Sequence, residues 1–280
     1  MHLPYFDHLL AAFSAGEGPL ETAFGEHVHW GYWPHPEAAT GSPADLATAA
    51  EALTALVVEA AAPRDGERVL DVGCGFGGTI GHLNRGLREA ELVGLNLDGR
   101  QLRRARARHA PIRGNRIRFV QGDACRLPFA DASFDRLLAV ECIFHFPSRR
   151  RFLQEARRVL RPGGTLALSD FVLPARRAPG DVLLRRLAAP LVGLVYGPVR
   201  LVTAAALVEM AEAGGLRLRL ERDITAETLP TYDVLEGLTR RAGPAGRVAG
   251  LVNRGIGRAQ RRRQLLYEVF AFTAGDAAGG

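Results

Sequence analysis

The hydrophobic pattern changes period near residue 62. Residues 1–62 read as a helical prelude, broken in the middle by a turn-rich aromatic segment, His29-Trp30-Gly31-Tyr32-Trp33-Pro34-His35-Pro36. Beyond it, short apolar runs alternate with amphipathic stretches of helical spacing, the signature of a βα-repeating parallel sheet. Strands are expected at Arg68–Val72, Leu92–Leu95, Ile117–Gln121, Phe134–Val140 and Thr165–Phe171, with helices at Gly77–Arg88, Gly99–His109 and Arg149–Leu160 between them. Arg161-Pro162-Gly163-Gly164 stops the last of these helices, because proline lacks an amide hydrogen and glycine favours a helix end.

From Pro174 to Val202 the pattern breaks. The stretch Leu187–Pro198 is apolar but punctuated by proline and glycine, which reads as an inserted lid or an oligomer contact. A helix at Ala204–Ala213, a strand at Leu216–Arg222 and a final strand at Leu265–Thr273 follow, with an arginine-rich helical stretch near Arg258–Arg263 before the last. The organisation expected is a helical cap (1–62), a core (63–173), an insertion (174–202), the remainder of the domain (203–273) and a loose tail (274–280).

With 280 residues, 47% hydrophobic and 24% charged, the composition excludes disordered and fibrous classes and suits one α/β domain with additions. No apolar window is long enough to span a bilayer, and the N-terminus has no signal-peptide pattern. Three widely spaced cysteines, Cys74, Cys125 and Cys142, form no CxxC pair, so a disulfide framework is not expected and the reducing cytoplasm is the default location. All 36 basic residues are arginine, giving a net charge of +6. No lysine is therefore present to act as Schiff base, phosphate clamp or general base. The surplus charge fits either coding bias or an anionic partner.

The candidate chemistry begins at Val69-Leu70-Asp71-Val72-Gly73-Cys74-Gly75-Phe76-Gly77-Gly78, a glycine turn between the first strand and the following helix. Glycines there let backbone approach a ligand, and a helix N-terminus favours negative charge. The spacing satisfies both GxGxxG (Gly73, Gly75, Gly78) and GxGxG (Gly73, Gly75, Gly77), so a dinucleotide and S-adenosylmethionine both fit it. Asp71, just inside the strand end, can order the loop and face a ligand ammonium. Asp123 and Ala124, after the third strand, offer an acceptor for an adenine amino group.

Together with the Arg161–Gly164 turn, these motifs resemble the class I S-adenosylmethionine-dependent methyltransferases over Glu67–Phe171. His29-Trp30-Gly31-Tyr32-Trp33 is similar to the H-x-G-Y-W stretch of natural-product sugar O-methyltransferases and tocopherol-type C-methyltransferases. The resemblance implies a Rossmann-like, doubly wound, seven-stranded sheet with an antiparallel last strand. It also implies S-adenosyl-L-methionine as cofactor, S-adenosyl-L-homocysteine as product, and Tyr32 as a contact from a covering N-terminal segment. Where most of these enzymes carry an acidic residue after strand two, this chain has Asn96. A glutamine five residues on, Gln101, completes the ribose pair of the subgroup with a polar residue there.

The strand-four end, Ala139-Val140-Glu141-Cys142-Ile143-Phe144-His145, runs beside the methyl group and acceptor in the families it resembles. His145 is the candidate general base, since imidazole titrates near neutrality; a packing role is equally open. Glu141 fits a contact to the donor or acceptor, or a structural bond to the N-terminal segment. Asp170, Tyr196 and Tyr232 are candidates for lining the acceptor site, with a buried cap or ordinary packing as the alternatives. His27, His29 and His35 have no matching acidic cluster, so no metal is expected. Arg103, Arg104, Arg106 and Arg108 crowd one helix; a solvated face explains them more simply than a nucleic-acid footprint, for which no binding module is evident. The reading is a soluble methyltransferase acting on a small, largely hydrophobic secondary metabolite, with an anionic acceptor also open and oxygen, nitrogen and carbon all open as acceptor atoms. Homo-oligomerisation stays open, and the alternatives are a pericyclase or cyclase on the same fold and, behind it, an RNA methyltransferase or a non-catalytic S-adenosylmethionine-binding module.

Overall fold

In the computed structural model, which describes residues 3–16, 18–176, 179–240 and 243–275, the first 62 positions carry helices α1 (Pro4–Ser14), α2 (Gly18–Phe24) and α3 (Pro43–Ala61). Ser42 caps α3 by accepting from the Asp45 amide, and Pro43 occupies its first turn, where a missing amide hydrogen costs nothing. The βα rhythm follows as β1 (Arg68–Val72), α4 (Gly78–Gly86), β2 (Glu91–Asn96), α5 (Gly99–Arg108), β3 (Arg116–Gln121), β4 (Phe134–Val140), α6 (Arg149–Val159) and β5 (Leu160–Val172). The chain continues through α7 (Pro179–Tyr196), α8 (Ala204–Glu212), β6 (Leu216–Asp223), α9 (Thr225–Thr228), α10 (Thr231–Thr239), α11 (Gly243–Arg261) and β7 (Leu266–Ala274).

The strands form one seven-stranded sheet in the order β3-β2-β1-β4-β5-β7-β6. β1 to β5 pair in parallel, and β7 runs antiparallel between β5 and β6, as expected for the last strand. Strand order reverses at β1 and β4, so their carboxyl ends open the crevice where doubly wound sheets bind ligands. Parallel strands covered on both faces must be apolar almost throughout, and Val69, Leu70, Val72, Leu137, Leu138 and Ala139 are all fully buried. One apolar cluster packs α3, α4 and α5 against one face, a second packs α6 and α8 against the other. A third, built on Leu9, Phe24, Trp33, Leu46 and Tyr232, joins the N-terminal cap to α10.

Three boundaries differ from the sequence reading. The first helix after the glycine turn starts at Gly78, one residue late, because Gly77 sits in the left-handed region as its cap. Arg161-Pro162-Gly163-Gly164 bulges out between the pairs Phe134↔Leu160 and Arg136↔Thr165, so the segment both ends α6 and belongs to β5. The stretch Leu187–Pro198, read as an inserted lid or an oligomer contact, is helical as far as Tyr196 in α7, which continues through Pro190. Of the tail, Ala274 pairs with Leu216 at the end of β7, while residues 276–280 lie outside the described residues. Among the described residues no helix is long and apolar enough to cross a membrane.

Candidate active site

A cavity of about 320 Å3 opens over the carboxyl ends of β1, β2, β3 and β4. The sheet supplies its floor, and the sequence-predicted Asp71, Gly73, Gly75, Asn96, Gln101, Asp123, Ala124, Glu141 and His145 all reach its wall. Gly73 is required twice over: its φ is +79°, and a Cβ there would meet Cys142 at 2.8 Å. Gly77 is not on the wall; it packs against His109 and Ala105 of α5 and its flank.

Asp71 is 1% exposed, and its Oδ2 has no hydrogen-bond partner. Burial pushes its carboxyl up to about 7, against the opposing effect of the Thr79 hydroxyl. A buried acceptor left unmade is costly, and Asp71 lines the cavity. On the far side, Asn96 Nδ2 donates to Gln101 Oε1 at 2.7 Å, and Asn96 Oδ1 accepts from the Leu97 amide at 2.9 Å. The two amides thus form one fixed unit. Asp123 Oδ1 accepts from the Cys125 amide at 2.8 Å, shaping the turn after β3.

Glu141 follows β4 with a φ of +48°, an uncommon conformation for a side-chain-bearing residue and one that clusters at functional sites. Its amide donates to Ser169, and its Oε2 accepts from the Trp30 amide at 2.9 Å and the Tyr267 hydroxyl at 2.5 Å. Burial pushes the carboxyl up to about 8, with the two donors pulling the other way. His145 lies in the turn after β4; its Nδ1 donates to the Pro198 carbonyl at 2.9 Å. Burial drives the imidazole down to about 4, so it stands neutral with the Nε2 lone pair free of a proton. Around it pack Phe144, Tyr5, Trp30, Phe171 and Tyr196 in a chain of ring contacts 4.3 to 6.0 Å apart.

Besides Gly77, four predicted residues lie off the cavity wall. Tyr32 is buried in the core and accepts from Arg222 at 2.8 Å, so contact with the cavity passes to Tyr5 and Phe6 of α1. Asp170 is completely buried in an ion pair with Arg149 at 2.8 Å, the geometry of a structural cap. Tyr196 donates its hydroxyl to Asn253, and Tyr232 stacks edge-on to Trp30 at 6.0 Å. The sequence reading missed His27, Thr79, Asp98 and Arg100 on the wall. Of these only Asp98 carried a local signal, as the cap two residues beyond Asn96 that accepts from the Arg100 amide.

The roof is α1. Phe6 and Phe13 both pack edge-on against Phe76 of the glycine loop at 5.7 Å. The crowded arginines of α5 hold this roof down: Arg100 pairs with Asp7 at 2.8 Å, and Arg104 pairs with Glu21 at 2.6 Å while its guanidinium lies over Phe13. Arg106 donates to the Phe119 carbonyl. Among the described residues no cluster of histidine, cysteine and carboxylate side chains suits a metal ion.

A family model described as a methyltransferase domain matches residues 70–168. The methyltransferase GfsG of Streptomyces halstedii is 36% identical over 230 residues, 77% of each chain. The 27-O-demethylrifamycin SV methyltransferase of Amycolatopsis mediterranei is 33% identical over 232 residues, 80% of each. Among solved structures, the cyclopropane synthase MmaA2 of Mycobacterium tuberculosis superposes with a TM-score of 0.77 at 16% identity, covering 97% of this chain and 99% of that one. The [4+2]-cyclase SpnF does so with a TM-score of 0.72 at 25% identity, covering 97% and 93%. The sheet order, the glycine loop and these relatives agree, and the chain belongs to the class I S-adenosylmethionine-dependent methyltransferases.

Proposed function

We propose that this enzyme methylates a hydroxyl group of a small, largely hydrophobic natural product, with the donor seated in the cavity over β1 to β4. The observation that carries the placement is Asp71: a fully buried carboxylate oxygen without a partner, beside a glycine loop, fits the ammonium of the donor's amino-acid end. The Asn96–Gln101 unit meets the ribose hydroxyls, and Asp123 and Ala124 flank the adenine. When bound, the cofactor supplies an electrophilic methyl group on a good leaving group. The protein's share is then to exclude water, align the acceptor and accept its proton. Alignment alone contributes roughly 7–11 kcal/mol in favourable cases.

His145 and Glu141 stand where the acceptor meets the donor. His145, held as a neutral imidazole by the Pro198 carbonyl, offers Nε2 to the acceptor hydroxyl. Glu141, fixed through one oxygen by Trp30 and Tyr267, presents a carboxyl that titrates near neutrality, as a proton acceptor working there requires. The aromatic shell of Tyr5, Trp30, Phe144, Phe171 and Tyr196 supports a hydrophobic acceptor. The names of the relatives support transfer to oxygen, since one is described as a 27-O-demethylrifamycin SV methyltransferase and another, from Pyrenophora dematioidea, as an O-methyltransferase. The likeness to SpnF supports one second reading, a cyclisation on the same fold.

Mass spectrometry of ligands that co-purify with the protein, followed by incubation of hydroxylated hydrophobic natural products, 27-O-demethylrifamycin SV among them, with labelled donor, tests this reading. Labelled methyl ethers with stoichiometric S-adenosylhomocysteine are expected. Acceptor turnover with no S-adenosylhomocysteine formed would establish the cyclase instead.

A further inference from the structure

Behind the glycine loop lies a hydrogen-bonded chain that runs from the N-terminal segment into α3 and α4. His29 Nδ1 contacts the Trp30 carbonyl at 2.9 Å, His29 Nε2 contacts the Thr54 hydroxyl at 3.2 Å, and Thr54 contacts His27 Nδ1 at 3.2 Å. His27 Nε2 reaches Glu51 Oε2 at 2.7 Å. Glu51 Oε1 is shared by His82 Nδ1 at 2.8 Å and Arg85 at 2.6 Å.

The directions of these bonds fix the protons. A carbonyl only accepts, so His29 carries its proton on Nδ1. His29 has no carboxylate partner and is 6% exposed; burial drives it down to about 3, so its Nε2 holds a lone pair. The single hydroxyl proton of Thr54 goes to that lone pair, which leaves the Thr54 oxygen to accept from His27 Nδ1. Although burial opposes its charge, Glu51 is held far below the usual carboxylate range by His27, His82 and Arg85. As a carboxylate it only accepts, so it takes the Nε2 proton of His27. Both nitrogens of His27 therefore carry hydrogen.

We propose that His27 is a buried imidazolium, donating from both ring nitrogens, that acts as a positioning residue, setting the first turn of α4 for the anionic end of the donor's amino acid. Its ring lies flat against Gly78, the first residue of α4, where a Cβ would collide with Nδ1. It also lines the cavity, within the same wall as Asp71 and Thr79. A cation there adds to the positive field of a helix N-terminus, while Glu51 on the far side balances it. Asp71 and the α4 turn then face the two charges of one zwitterion. The inference rests on the donor placement proposed above.

Two measurements test it together. Imidazole nitrogen spectra of the whole protein at neutral pH are expected to show both nitrogens of His27 protonated; a lone pair on Nδ1 overturns the proposal. Calorimetry compares S-adenosylhomocysteine with 5′-methylthioadenosine, which lacks the amino-acid end. His27→Gln is expected to weaken the first about tenfold and leave the second unchanged. Equal losses for both ligands reduce His27 to a structural part and overturn the proposal. Should His27→Gln not fold, Glu51→Gln removes the counter-ion and is expected to give the same selective loss. If the wild-type protein binds neither ligand, the donor placement itself falls, and this inference with it.

Discussion

The backbone amide of Trp30 donates to the side chain of Glu141 across 111 positions of sequence, at 2.9 Å. One bond thus couples the N-terminal aromatic segment to the turn after β4 and fixes one oxygen of the carboxylate on the cavity wall. The segment is stitched down by further backbone bonds, Gly31 to the Thr231 hydroxyl and Tyr32 to the Ala49 carbonyl. Its role is to set the geometry of Glu141 as much as to close the core.

Glu141 makes stability depend on pH. In the folded chain burial raises the carboxyl from 4.5 to about 8, so the native state holds a proton that the unfolded state has released. Its contribution is therefore greatest below pH 4.5 and is lost as pH rises to about 8. Thermal unfolding across that range is expected to show a Tm that falls with pH and a shallower slope in Glu141→Gln. An unaltered slope would show that Asp71, Asp170 and Glu268, also raised by burial, carry the dependence instead.

On the proposed donor placement, Asp71 is expected to make donor binding depend on pH in the opposite sense. A cation bound beside it favours the ionised form, which the empty site reaches only near pH 7. Affinity for S-adenosylhomocysteine is expected to climb with pH, by at most about tenfold per unit, and to level above neutrality. Asp71→Asn should weaken binding and abolish the slope; calorimetry in two buffers of different ionisation enthalpy counts the proton released.

His145→Ala is expected to lower turnover by roughly 10²–10⁴-fold, the range of a general base, while sparing donor affinity. Because burial drives the imidazole from 6.5 to about 4, the wild-type acid limb should fall near pH 4. The pH profile of kcat and a donor titration of the variant check both halves. Normal turnover would leave His145 with its bond to Pro198 alone.

The amide pair predicts a graded loss. Asn96→Ala and Gln101→Ala each remove about one hydrogen bond's worth of stabilisation, roughly 0.5–1.5 kcal/mol, or two- to tenfold in donor affinity. The double variant should lose less than the product of the two, since the amides bond each other at 2.7 Å. Binding equal to wild type in all three would remove the pair from the ribose site.

Arg104 reports on the roof. Its pairing with Glu21 and its stacking over Phe13 tie α2 and α1 to α5. Arg104→Ala is expected to speed donor release a few-fold with little change in association, and added salt should mimic the variant partly by screening the ion pair. Stopped-flow displacement measures both rates. An unchanged release rate would show that the roof is held by Phe6 and Phe13 against Phe76 and by the Arg100–Asp7 pair, without Arg104.

How far the sequence went follows from the range of each signal. Alternating apolar runs fixed the βα order, because strand burial on both faces and amphipathic helix faces are written locally in residue type. Asp71, the glycine turn and Asn96 sit at strand ends, with Gln101 in the first turn of the helix that follows, and the fold brings strand ends together. Neighbours that are distant in sequence were not legible. The Trp30–Glu141 bond, the Arg149–Asp170 pair that keeps Asp170 off the cavity and the Arg222–Tyr32 bond span 21 to 190 positions, so no spacing rule announces them. Only the packed tertiary structure decided which buried carboxylates meet a cation, as Asp170 meets Arg149, and which reach the cavity wall without one, as Asp71 does, because desolvation depends on every element that covers a group and not on its own stretch of chain.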